Sequence, residues 1–376
     1  MRTLRTIATA AGAILACLCF ATGVQAQTRG DYCLTADPPA PDKPAERLTF
    51  GITPLLAGNL IALQGEAPPV DPRQTRRALS LLRPPKRELV LHLNRLFWSD
   101  RGAGIRRFAR KANGYARAGF RTEIQVRYHP DSAQEGNIRA WARFVRRAVR
   151  RLGRQPSVVA FTITNEANLP ISPNTSDGAY EGVIPALVRG VVVADRQLRR
   201  LGRPDVPVGF SVMWRWNPVD DASFWEQVGA IADERFRRAL DYVGVQVYPG
   251  LVWPPLPIPG RSAGAEVTEA LALVRSCFMP KAGLGRRYAL WVSENGYATR
   301  PLLESEQGQA EKLDSTVRWL HRYSGTLNIS DYRYFNLRDN RAAGLDLFDQ
   351  VGLLREDYSP KPSFDTYRKL IRRFGR

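Results

Sequence analysis

A chain of 376 residues, 44% of them apolar, is long enough to bury a large core without disulfide or metal staples. Its formal charge is +19, yet only seven of its 55 basic residues are lysines. The arginines lie along helical stretches such as "RFVRRAVRRLGR" (143–154), without interleaved aromatics or a nucleic-acid module, so no nucleic-acid partner is expected.

Residues 1–26 read as an export signal. Arg2 and Arg5 precede the apolar run "IATAAGAILACLCFATGV" (7–24), and "VQA" before Gln27 supplies a small-residue cleavage site. A membrane-spanning helix is the competing reading, but the run is barely long enough and the exit motif argues against it. A lipid anchor on Cys17 is a weaker alternative, because "ILAC" is a poor acceptor motif. No later segment is apolar enough to span a bilayer. The expected protein is therefore secreted or extracytoplasmic, and monomeric. Cys17 and Cys19 leave with the signal. Cys33 and Cys277 remain as one conceivable disulfide, whose partners sequence alone cannot bring together.

Residues 27–46, with "TADPPAPDKPAE" (35–46), read as an extended Pro-rich arm. From residue 47 short apolar or β-branched runs alternate with segments of helical period. The first four runs are "RLTFGIT" (47–53), "ELVLHLN" (88–94), "RTEIQVR" (121–127) and "SVVAFTIT" (157–164). "VPVGFSVMW" (206–214), "LDYVGVQVY" (240–248), "YALWVSE" (288–294) and "ISDYRYFNL" (329–337) complete the set. Between them lie stretches such as "NIRAWARFVRRAVRRLG" (137–153), with apolar residues at three- and four-residue steps. Apolar strands alternating with helices predict a parallel sheet covered by helices. Eight such units predict a single α/β domain over 47–376, a closed (β/α)8 TIM barrel with elaborated loops. The first strand has no Gly-rich phosphate loop after it, which counts against a dinucleotide fold, and no cofactor is expected. "YPGLVWPPLPIPG" (248–260) is too rich in proline for regular structure.

Catalytic groups of such a barrel sit where strands run into the loops above them. Glu166 ends the fourth strand in "TITNEANLP", and Glu294 ends the seventh in "ALWVSENGYATR". Each has an Asn beside it, Asn165 and Asn295. A lone Glu after a strand is commonly a cap or a surface acid. Two such acids on strands four and seven are what glycoside cleavage needs, one holding a proton for the leaving oxygen and the other attacking or stabilising the sugar cation.

The pair "TNEAN" and "SENGY" on strands four and seven resembles the clan A glycoside hydrolases, retaining (β/α)8 enzymes. The tail "GLLREDYSPKPSFDTYRKLI" (352–371) looks like the last helix of bacterial members, with Pro360 and Pro362 at its start. The resemblance implies that Glu166 is the acid/base, Glu294 the nucleophile and Asn165 a ligand of the sugar 2-hydroxyl. It implies a tyrosine beside the nucleophile, here Tyr248. Arg95 after strand two, and Tyr128 and His129 after strand three, are further candidates for the site, each with a plain surface or loop reading beside it. Trp98, Trp214, Trp216 and Trp253 fall in or near the loops after strands two, five and six. Their faces could cover a pyranose, although core packing is as good a reading for each. Strand eight departs from the clan pattern. Many members carry a Trp there, whereas "YRYFNLRDN" (332–340) offers Tyr334 or Phe335 as the floor of the site, with Asn336, Arg338 and Asp339 facing its mouth. The histidines at 92, 129 and 321 are scattered, and no metal site is expected.

The sequence thus predicts an exported retaining glycosidase acting on a β-linked oligo- or polysaccharide. A carbohydrate-binding barrel without turnover and a transglycosylase are the alternatives. An acyl hydrolase is disfavoured, because no Ser with a matching His and acid stands out.

Overall fold

The computed structural model describes residues 38–42, 44, 47–56, 67–171, 175–215, 217–299, 304–344 and 346–376. The expected export signal, most of the Pro-rich arm, Cys33 and Trp216 lie outside the described residues. Cys277 is disulfide-bonded. Among the described residues no helix is long and apolar enough to cross a membrane.

Eight parallel strands close into a barrel in sequence order. They are β1 (Thr49–Ile52), β2 (Val90–Phe97), β3 (Arg121–Arg127), β4 (Val158–Ile163), β5 (Val208–Met213), β6 (Tyr242–Gln246), β7 (Ala289–Asn295) and β8 (Ile329–Tyr334). Closure comes from β1 pairing with β8, with Thr49 opposite Asp331 and Ile52 opposite Tyr334. Each strand is followed by a helix: α1 (Pro72–Leu82), α2 (Arg101–Arg117), α3 (Ile138–Leu152), α4 (Val183–Arg200), α5 (Pro218–Ile231), α6 (Ala263–Leu273), α7 (Glu306–Arg322) and α8 (Pro362–Phe374). The eight runs and the closed architecture bear out the sequence reading.

Local chemistry places the helix starts. The Asp71 carboxylate accepts from the Arg73 and Gln74 amides at 2.7 and 3.1 Å and caps α1. Asn137 caps α3 through the Ala140 amide, and Ser305 caps α7 through the Gly308 amide. Pro362 opens α8, where its missing N–H costs nothing. Along α3, Trp141, Phe144, Val145, Ala148, Val149 and Leu152 are buried, while the arginines between them face out.

The strands alternate. Leu91 and Leu93 of β2, Ile124 and Val126 of β3, and Phe161 and Ile163 of β4 belong to the apolar core. Their neighbours at the other parity form a buried polar layer inside the barrel: His92, Glu123, Gln125 and Thr162. Arg333 of β8 crosses that interior. Its Nε donates to Glu123 at 2.9 Å and its Nη2 to Asp331 at 2.8 Å. Glycine in β1 makes this possible, because a Cβ on Gly51 would stand 2.4 Å from Arg333 Cδ and 2.5 Å from the Val90 carbonyl. Gly51→Ala should therefore cost about 1–3 kcal/mol or more through overpacking. A calorimetric Tm unchanged from the parent would count against this packing.

Candidate active site

The C-terminal ends of the strands open into a cleft of about 730 Å3, part of it exposed to solvent. Glu166 and Glu294 both line it, with Asn94, Arg95, Arg127, Asn165, Thr175 and Tyr248.

Glu166 reaches the cleft through an irregular exit from β4. Thr164 and Glu166 adopt left-handed backbone conformations, φ +67° and +46°, which a non-glycine residue holds only when its surroundings fix it. Asp177 supplies much of that constraint. Its Oδ2 accepts from the Asn165 and Tyr128 amides at 2.9 and 2.7 Å, and its Oδ1 pairs with Arg127 Nε at 2.7 Å. The Ala167 amide donates to the Ser211 carbonyl of β5 at 3.2 Å. Asn168 fastens the turn further, donating to the Met213 carbonyl and to Asp221, and accepting from the Met213 amide, each at 2.8 Å.

Asn165 is oriented by its neighbours. Its Oδ1 accepts from Gln125 Nε2 at 2.9 Å and from Gln246 Nε2, and its Nδ2 donates to the Thr175 carbonyl at 2.7 Å. The amide nitrogen is thus set toward the cleft side with one further N–H to give.

The two acids have different surroundings. Among the described residues the Glu166 carboxyl has no hydrogen-bond donor. Burial, and then the like charge of Glu294, push its pKa well above the usual carboxyl range, with Arg127 opposing. Glu294 is bonded on both oxygens, accepting from Asn94 Nδ2 at 3.2 Å and from the Tyr248 hydroxyl at 2.9 Å. Beneath it, His92 Nε2 lies 3.5 Å from Glu294 Oε1, and His92 Nδ1 lies 3.2 Å from Glu123 Oε1. Neither nitrogen is aligned as a hydrogen-bond donor, so these contacts are electrostatic. Burial alone would lower the imidazole pKa. The charge of Glu123, with help from Glu294, overturns that and holds it at about 9. A cationic imidazole under one acid, and burial without a hydrogen-bond donor from the described residues at the other, give the two carboxyl groups unlike surroundings, the arrangement that lets one hold a proton while its partner acts as a base or nucleophile.

Tyr248 donates to the oxygen of Glu294 that Asn94 does not touch. Tyr248→Phe removes a hydrogen bond to a charged group, about 1.5–3 kcal/mol, and should lower kcat about ten- to hundredfold with the fold intact. An unchanged kcat would mean that this bond does not position the carboxylate during turnover.

The other sequence candidates divide. Arg95 reaches the cleft together with its neighbour Asn94, although adjacent strand residues normally face opposite ways. The β2–β3 register slips between Leu93 and Leu96, and that irregularity turns both side chains inward. Just past β8 it is Phe335 that lines the cleft, while Tyr334, the last residue of the strand, points away and donates to the Val351 carbonyl at 3.1 Å. Several candidates are not brought to the cleft. Trp98 is buried in a stack with Tyr128 and Trp141, at centroid distances of 5.4 and 5.6 Å. The Tyr128 hydroxyl donates to the Glu181 carbonyl and accepts from the Gly136 amide. His129 packs against Phe97 and Tyr180 with Nδ1 3.2 Å from Ser99 Oγ. Trp214 is buried, Trp253 is half-buried, and neither is among the residues lining this cleft. Asn336, Arg338 and Asp339 do not face its mouth. Asn336 donates to the Leu55 carbonyl, Arg338 to the Glu356 and Pro68 carbonyls, and Asp339 pairs with Lys361 at 2.8 Å. Asn295 is structural as well, bonded to the Val247 carbonyl and the Tyr332 hydroxyl.

Sequence reasoning passed over Asn94, His92, Glu123, Arg127, Asp177 and Arg333. Strand parity was the available signal. In "RTEIQVR" the polar residues Glu123, Gln125 and Arg127 fall on one face, so Arg127, and not Tyr128, points into the barrel mouth, while His129 lies past the end of β3 and packs on Phe97 and Tyr180. Among the described residues no group of three or more His, Cys, Asp or Glu is placed to hold a metal.

No protein-family model matches the chain, and no curated protein matches its sequence. Solved structures do resemble it. A GH5_18 protein from Bifidobacterium longum subsp. infantis is 14% identical, with a TM-score of 0.60 over 88% of this chain and 80% of that one. The β-glycosidase BGL167 is 15% identical, with a TM-score of 0.57 over 88% and 97%. The family 1 β-glucosidase from Thermotoga maritima in complex with isofagomine lactam is 13% identical, with a TM-score of 0.56 over 80% and 85%. At such identities the likeness is one of fold. Families 5 and 1 lie in the same glycoside hydrolase clan that "TNEAN" and "SENGY" resemble.

Proposed function

We propose that the chain is a retaining β-glycosidase in which Glu294 attacks the anomeric carbon and Glu166 protonates the departing oxygen. The observation that carries this reading is the unequal pair in one cleft: a buried Glu166 whose proton affinity is raised, and a Glu294 held by Asn94 and Tyr248 over His92. In the first step the Glu294 carboxylate forms the bond to C1 as the glycosidic bond breaks, and the Glu166 proton passes to the leaving alcohol. In the second, Glu166 takes a proton from water as it attacks C1, and Glu294 departs as a carboxylate. Asn165 gives its remaining N–H to the sugar 2-hydroxyl, and Arg95 and Arg127 supply positive charge along the same side of the cleft.

The test is stereochemical. With an aryl β-glycoside that the protein cleaves, proton NMR should show the β-anomer of the free sugar first, with the α-anomer growing in only by mutarotation. An α-anomer formed first would sink the retaining mechanism. Failure of every aryl glycoside, with no labelling of Glu294 by 2-deoxy-2-fluoroglycosyl fluorides, would sink the glycosidase reading and favour a sugar-binding barrel. Export is part of the proposal, supported by residues 1–26 and by the disulfide at Cys277, which fits an oxidising compartment. Amino-terminal sequencing of the protein from culture fluid should begin at Gln27.

A further inference from the structure

The cleft has two unlike halves. Its polar groups, Asn94, Arg95, Arg127, Asn165 and Thr175, lie at the ends of β2 to β4 and just beyond. The opposite wall is Leu169, Met213, Val252, Phe335, Leu347 and Phe348. These six belong to one apolar cluster that also packs Tyr248. Ile171, two-thirds exposed, continues the wall at the rim. None of the lining residues among those described is a tryptophan.

The acid that protonates the leaving oxygen must touch it, so the leaving group lies beyond Glu166. Leu169 and Ile171 follow Glu166 by three and five residues, and Met213 ends the adjacent strand β5, to which the Glu166 turn is fastened through Asn168. A second sugar unit in this place would bring about three hydroxyls against branched aliphatic and Phe side chains that offer no partner. Each hydroxyl left without a hydrogen bond weakens binding. The side chains that follow Glu166 on this side, Leu169 and Ile171, with Met213 of β5, are aliphatic and suit a flexible hydrocarbon better than the face of a pyranose. We infer that the leaving group is an apolar, non-sugar alcohol, so that the substrate is a β-glycoside of an alkyl, terpenoid or lipid alcohol and not an oligosaccharide.

This inference rests on the glycosidase reading, and the experiment separates the two. A panel of 4-nitrophenyl glycosides first identifies the sugar. With that sugar fixed, kcat/KM is measured for methyl, butyl, hexyl and octyl β-glycosides, all below micellar concentration, and for the β-1,4-linked disaccharide. The expected result is a rise of roughly fourfold per added methylene, the transfer value for a buried CH2, with the disaccharide below the hexyl and octyl glycosides. In the double variant Ile171→Asn/Val252→Asn, both positions at or near the surface, the slope should flatten. A parallel arm uses a dialkylglycerol glycoside of the same sugar in phosphatidylcholine vesicles. Turnover there as fast as on the octyl glycoside assigns the alcohol to a lipid. Turnover confined to the free alkyl series assigns it to a soluble alcohol. A flat alkyl series, or a disaccharide cleaved faster than the octyl glycoside, overturns the inference while leaving the glycosidase reading standing. If no aryl glycoside is turned over and Glu294 is not labelled, both fall together.

Discussion

Glu294→Gln should abolish turnover, by more than about 10^4-fold in kcat, because it removes the carboxylate proposed to attack the anomeric carbon. Glu166→Gln should behave differently. On an alkyl glycoside, whose alcohol leaves only when protonated, kcat/KM should drop by about 10^2–10^4-fold, the usual worth of a positioned general acid. On a dinitrophenyl glycoside, whose phenolate leaves unaided, the first step should survive and the glycosyl-enzyme should accumulate, because the base for the second step is missing. Azide should rescue the Ala variants with opposite stereochemistry, giving the β-glycosyl azide in place of water in Glu166→Ala and the α-glycosyl azide in place of the nucleophile in Glu294→Ala. The pH profile adds a sign. Glu166 must carry its proton in the first step, so kcat/KM should fall as pH rises through its pKa, which burial and Glu294 raise. That alkaline limb should vanish in Glu166→Gln. Removing the Glu294 charge should lower the Glu166 pKa, which an infrared titration of the carboxyl in Glu294→Gln would read. Wild-type turnover in both Gln variants would end the assignment.

The barrel was legible because its strands are short apolar runs at regular spacing. The eight expected runs each contain their observed strand, except that β2 extends three residues past Asn94 to Phe97 and β7 one past Glu294 to Asn295. The acid pair was legible because an acid at the end of a buried strand breaks an apolar pattern that has no other reason to break. Two other positions at the cleft were read one residue out of phase. Tyr128 stood for Arg127, and Tyr334 competed with Phe335, because a strand's side chains change face at every step and motif position alone does not fix parity. Arg95 reaches the cleft for a reason the sequence does not display, the register slip between Leu93 and Leu96. Trp98 and Trp214 are buried and do not line the cleft, because size and aromaticity suit a core as well as a sugar: Trp98 sits in a ring stack over Tyr128. The charged interior was hidden by its dispersal, with His92, Glu123 and Arg333 on three strands and the last two 210 positions apart.

That interior carries the largest expected effect on stability. Arg333 pairs with both Glu123 and Asp331 in the buried barrel, and Arg333→Met would leave two carboxyl groups facing it. Breaking a buried pair by removing one partner costs about 3–5 kcal/mol, which for a barrel of this size should lower Tm by roughly 5–15 °C. Adding Glu123→Gln should recover part of the loss, since it removes one of the stranded charges. The pH dependence distinguishes this network from simple packing. His92 and Arg333 outweigh burial and hold the Glu123 pKa below the usual range, so its contribution is present above a pH of about 4.3 and lost as pH falls through the depressed value. His92 is raised to about 9, so its contribution is full below a pH of about 6.5 and is lost as pH rises toward 9. Tm should therefore be highest between about pH 5 and 6.5 and decline toward pH 9. In Glu123→Gln the principal charge supporting the imidazolium is gone, burial prevails, and the alkaline decline should flatten. Because His92 also stands 3.5 Å beneath Glu294, the same variant should lower kcat although residue 123 touches no substrate. Calorimetry from pH 5 to 9, alongside kcat at each pH, tests both consequences. An alkaline decline equally steep in the parent and in Glu123→Gln would show that His92 draws its charge from elsewhere, and would separate the barrel interior from the chemistry above it.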